Sequence, residues 1–182
     1  MLYSSIGYYA LILGLGISLI LVYFSIKNFQ NSSTLNTKIL SFTFLQFFLV
    51  VISFACLIIS FVLSDFSNET VFNNSHTTKP LFYKIAGTWG NHEGSLLLWL
   101  LVLTLFILIF FLKTKNQPLK YKLLTLIFQQ IIIIGFFLFL IQTSNPFNFI
   151  FPTPEEGMGL NPILQDPALA IHPPILYLGY VG

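Results

Sequence analysis

The chain has 182 residues, of which 55% are hydrophobic and only 8% charged, with a formal net charge of +2. A soluble domain carries about a quarter charged residues, so this composition excludes a water-soluble enzyme and points to the bilayer. The small, scattered charge excludes a nucleic-acid surface, and a single cysteine, Cys56, excludes an intrachain disulfide or a thiolate metal cluster.

Crossing a bilayer takes about 20 apolar residues. Four runs meet that length in chain order, at 6–26, 39–63, 95–112 and 123–141. The first lacks a basic leading region and a small-residue cleavage site, so it is expected to be a retained helix. A fifth run begins at Ile175 and reaches the end of the chain at Gly182. Eight residues do not span, so the expectation is a split gene product or a fragment of a longer protein. The predicted fold class is an all-α integral membrane protein, a polytopic helix bundle with four complete transmembrane helices and the start of a fifth.

All basic residues are lysine. Lys27 and Lys38 fall between the first two spans, and Lys113, Lys115, Lys120 and Lys122 between the third and fourth. The positive-inside rule puts those connections on the cytoplasmic or matrix side. The N-terminus and the long loops at 64–94 and 142–174 then face outward. All six carboxylates and all three histidines, His76, His92 and His172, fall on that outer side. The centres of the spans carry no charged residue, which argues against an ion or proton pathway through them.

In the first outer loop, WGNHEGSLLLW at 89–99 holds both tryptophans. With a helix starting near Trp89, the side chains of Trp89, His92, Leu96 and Trp99 share a face. Gly90 and Gly94 form a small-xxx-small pair that would admit a neighbouring helix. The block fits an aromatic platform with a histidine at the membrane surface. It equally fits an interfacial aromatic belt with Glu93 at a helix N-terminus. In the second outer loop, Pro173 is expected to push His172 into extended backbone, with Pro174 opening the next helix. An imidazole held there could ligate a metal or cap that helix, and spacing alone leaves both open. His76, in NNSHTTKP, reads as a polar loop residue.

Four blocks together carry a resemblance: SDFS at 64–67, NSHTTKPLFYKIAGTWGNHEGSLLLW at 74–99, TSNPF at 143–147 and GLNPILQDPALAIHPPILYLGYVG at 159–182. They resemble the N-terminal part of the CcmF family, haem lyase subunits of the cytochrome c maturation system. The resemblance covers the whole chain in order. It implies a polytopic protein of the bacterial or mitochondrial inner membrane, with both motif loops on the periplasmic or intermembrane-space side. It implies that haem is received from the haem chaperone CcmE. With CcmH-type partners, haem is then attached to the CxxCH thiols of apocytochrome c. The histidine of HPPILYLGYVG corresponds to the first external haem ligand, His172. Trp89, His92 and Trp99 become candidate walls of the haem pocket, and Lys79 and Lys84 candidate partners of the haem propionates. The tryptophan-rich WWD segment, the second external histidine and the ligands of a structural b-type haem lie outside this sequence, so the chain alone is expected to be inactive as a lyase. The competing expectation is a membrane scaffold that binds partner proteins and never touches haem.

Overall fold

The computed structural model describes residues 1–31, 37–114 and 116–182. Among these the chain forms α1 (Leu2–Asn31), α2 (Thr37–Val62), α3 (Glu69–Asn74), α4 (Leu81–Gly87), α5 (His92–Lys113), α6 (Leu119–Gln142), a 3-10 turn (Pro162–Gln165) and α7 (Pro167–Val181). Four of them, α1, α2, α5 and α6, are long and apolar enough to cross a membrane. The architecture is that of a multi-pass helical membrane protein.

α1, α5 and α6 run past both ends expected from hydropathy, whereas α2 starts two residues early and ends at Val62, one residue short. Lys27 lies inside α1 and Lys122 is buried in α6, so neither marks a loop. A helix satisfies its own backbone, so a lysine near its end does not stop it. Lys115, one of the lysines used for orientation, lies outside the described residues.

The spans form a ring in which α1 packs on α2 and α6, and α5 packs on the same two. Ring neighbours are therefore antiparallel, and α2 faces α6 across the diagonal. That diagonal is closed by two amides. Gln46 Nε2 donates to Gln130 Oε1 and Gln130 Nε2 donates to Gln46 Oε1, both at 2.9 Å. Ser18 of α1 accepts a third bond from Gln46. All three residues are fully buried. Between apolar helices in lipid there is little hydrophobic preference for one register, so a reciprocal amide pair fixes it. Ser25, Thr43 and Ser60 bond back to the carbonyls of Leu21, Ile39 and Cys56 within their own helices, whereas the buried Ser53 hydroxyl has no partner among the described residues. Gly14 of α1 seats the Phe137 ring: a Cβ there would stand 2.7 Å from Cζ.

The two long loops interlock at one end of the bundle. Asn68 pairs with Phe149 in an isolated antiparallel bridge, with Ile150 N donating to Ser67 O and Glu69 N to Asn148 O. Further along, Met158 N bonds Phe72 O and Gly159 N bonds Ser75 O. Asn68 is the hub. Its Oδ1 caps α3 by accepting from Val71 N, while its Nδ2 donates to the Pro146 carbonyl and to Ser4 Oγ of α1.

Candidate functional site at the loop end

α5 starts sharply because Asn91 caps it. Asn91 Oδ1 accepts from Gly94 N at 2.7 Å, with Glu93 in the first turn. Trp89 therefore precedes the helix and sits in the turn after α4. Gly94 is required by that turn: a Cβ on it would overlap the Thr88 carbonyl oxygen. Gly90 is approached by Leu160 and Leu164 of the second loop. The glycine pair thus serves loop packing, not the helix crossing expected from its spacing.

α7 begins eight residues before Ile175. Asp166 Oδ1 accepts from Ala168 N at 2.8 Å and Leu169 N at 3.1 Å, and Pro167 occupies the first turn. His172 is therefore helical, not extended. The cap outweighs the bias that Pro173 places on its predecessor, because that bias is a preference and not a prohibition. The capping pair Asp166-Pro167 was the sequence signal for this start.

The helix presents two different faces. Ala170 is buried, and Tyr177 and Val181 pack on the bundle core. Trp99 of α5 stacks on Tyr177 at 5.3 Å and 25°. Trp89 Nε1 donates to the Ala170 carbonyl at 2.7 Å. His172 points about 140° to 160° away from Tyr177 and Ala170, at about 100° per residue. It lines an open groove of about 370 Å³ with Ile175, Leu176, Gly179 and Tyr180. Nothing stands within 4 Å of a Cβ built on Gly179. The lining is apolar, and the His172 ring has no hydrogen-bond partner among the described residues. An exposed imidazole at one end of an apolar trough suits a flat apolar molecule carrying a metal at its centre. The i, i+3, i+4, i+7, i+8 spacing from His172 encoded this groove, but reading the prolines as a break hid it.

The remaining candidates lie elsewhere. Trp89 and Trp99 hold the face of α7 opposite His172. His92 turns to α6, with Nδ1 3.2 Å from Ser144 Oγ and its ring edge-on to Phe139. None of the three lines the His172 groove. Lys84 donates to Ser64 Oγ at 2.8 Å, and Lys79 reaches the Leu160 carbonyl at 3.5 Å. Burial pushes the Lys79 ammonium below the usual lysine range. His76 is a surface loop residue, 3.8 Å from Glu156.

Residues 89–182 match the family described as "Cytochrome C assembly protein". The chain is 46% identical over 178 residues to the cytochrome c-type biogenesis protein CycK of Rhizobium meliloti, covering 97% of this chain and 26% of that protein. It is 40% identical over 179 residues to the cytochrome c-type biogenesis protein CcmF of Escherichia coli, covering 97% of this chain and 28% of the relative. It thus spans about a quarter of the length of these relatives. Its fold superposes on a solved structure titled "Cytochrome c Heme Lyase CcmF" with a TM-score of 0.82 at 24% identity, over 98% of this chain and 28% of that one. With more than half its length inside the family match, the chain belongs to the cytochrome c assembly protein family.

Proposed function

We propose that the chain is part of a cytochrome c biogenesis protein. In this reading it holds haem at the loop end of the bundle for covalent attachment to the CxxCH thiols of apocytochrome c. One observation carries the reading: the His172 imidazole, without a hydrogen-bond partner among the described residues, heads an apolar groove on the exposed face of α7. His172 would hold the haem iron through a ring nitrogen. Ile175, Leu176, Gly179 and Tyr180 exclude water from one side of the macrocycle. Lys79 and Lys84 remain the propionate candidates, since both ammonium groups donate to neutral oxygens and neither meets a carboxylate among the described residues. Trp89 and Trp99 act from behind α7 and not as pocket walls. Bound haem supplies the vinyl groups that the thiols of the apocytochrome attack.

The lysine distribution supports an outward orientation of the loop end, on the periplasmic or intermembrane-space side. CcmE as haem donor, CcmH-type proteins and apocytochrome c as partners, and the WWD segment as the other half of the pocket, belong to the same proposal. The test replaces His172 by Gly in the complete protein and measures co-purifying haem and cytochrome c yield, with and without added imidazole. Loss of both, with recovery in imidazole, is expected. Retained haem and unchanged yield would overturn the ligand assignment in favour of a scaffold that does not bind haem.

A further inference from the structure

Two successive prolines inside α7 remove two backbone donors. In an α-helix the N–H of residue i bonds the carbonyl of residue i−4. Pro173 and Pro174 therefore leave the carbonyls of Leu169 and Ala170 without an intrahelical donor. The two carbonyls meet different surroundings. Leu169 is exposed, whereas Ala170 is 1% exposed. A freed carbonyl at a buried residue costs the desolvation of an unpaired acceptor unless another donor reaches it. That donor is the indole of Trp89, at 2.7 Å.

Trp89 is itself well anchored. Its backbone N–H bonds the Ala86 carbonyl, and the Asn91 cap and Gly94 turn follow directly. Seven residues further along α7, Trp99 stacks on Tyr177. The helix is thus gripped once before the double-proline hinge and once after it, both times on the face opposite His172. His172 lies between the two grips, immediately before the hinge. Without the first grip, the turn carrying His172 is free to swing relative to Ile175, Leu176, Gly179 and Tyr180, which lie beyond the hinge.

We infer that Trp89 is a positioning residue: its indole N–H stands in for the amide that Pro174 lacks and so sets the direction of the His172 imidazole. The consequence for haem rests on the proposed function, but the clamp itself is testable without haem. Trp89→Phe keeps most of the ring and deletes the donor. Pro174→Ala restores a backbone donor aimed at the Ala170 carbonyl from within the helix. In the complete protein, amide hydrogen exchange of the peptide covering 168–176 should quicken about tenfold in Trp89→Phe, the scale of one buried acceptor left unpaired. It should return to the parent rate in the Trp89→Phe/Pro174→Ala double variant. A role confined to ring packing would not be rescued in this way. The absorption and paramagnetic spectra of bound haem should shift in Trp89→Phe and recover in the double variant. Unchanged exchange in Trp89→Phe, or quickened exchange that Pro174→Ala fails to repair, overturns the clamp. If exchange follows the expected pattern while His172→Gly leaves the haem spectrum untouched, the clamp stands and the haem assignment of His172 falls.

Discussion

α5 and α7 start at the same end of the molecule and are both apolar, but they are held by different means. α5 sits in the ring, with Leu97, Leu100 and Ile107 at 2% exposure or less. Its position follows from burial on several sides. α7 buries Ala170 alone among its residues and leaves Ile175 and Tyr180 at 63% and 76% exposure. To the packing of Tyr177 and Val181 it adds two directed contacts, an indole hydrogen bond from Trp89 in the turn before α5 and a ring stack from Trp99 of α5. The difference teaches where specificity is stored. The helix bearing the candidate ligand has little burial of its own, so its orientation is written in residues about eighty positions earlier.

That contrast can be broken from the α5 side. Gly94→Ala forces a methyl onto the Thr88 carbonyl, in backbone that has no flexible side chain to yield. The expected cost is about 3 kcal/mol or more, read as a large drop in thermal midpoint and folded yield in detergent. A mild effect would mean that the turn holding Trp89 is not rigid. Within the ring, Gln46→Leu strands the Gln130 amide in the core. The expected loss is about 1–2 kcal/mol in mixed-micelle unfolding. The double change Gln46→Leu/Gln130→Leu should recover most of it, because no orphaned amide remains. From the α7 side, Ile175→Ala should alter stability by no more than about 0.5 kcal/mol, as for other exposed positions. The same change should weaken haem retention. A stability loss comparable to that at Gln46 would show that the open face of α7 is packed in a way this chain alone does not provide.

The bundle was legible because hydropathy and span length report directly on what faces lipid. The four spans and the shared side of the two loops both follow from that pattern. The Gln46–Gln130 pair was not legible: glutamine in an apolar run says nothing about which helix it meets until the ring order is known. His172 was legible as a candidate through its motif, but its conformation was misjudged. Proline statistics describe isolated dipeptides, whereas Asp166 caps the helix six residues before His172. The spacing of the tryptophans predicts a shared face on one helix. Their shared target, the rear of α7, depends on a hydrogen bond across eighty-one positions that spacing along the chain does not encode.

The smallest expected effect concerns how the loops are joined above both helices. Glu156 Oε1 accepts from Thr77 N at 3.0 Å, its other oxygen accepts from the Thr77 hydroxyl, and His76 Nε2 lies 3.8 Å away. The Thr77 side-chain bond, followed by backbone bonds and His76, lowers the Glu156 carboxyl from 4.5 to about 2. A folded value below the unfolded one means that the unfolded chain binds the proton more readily in this window. The contribution is therefore complete above pH 4.5 and disappears as pH falls towards 2. Glu156 is solvent-exposed, so screening keeps the contribution small. In Glu156→Gln the amide oxygen can still accept from Thr77 N, but the charge is gone. The thermal midpoints of parent and variant should differ slightly above pH 4.5 and converge as pH drops through that window. A constant difference across the window would show that the clasp owes nothing to the carboxylate charge. The convergence should leave exchange in the 168–176 peptide unchanged, because the clasp fixes loop to loop while Trp89 fixes loop to helix.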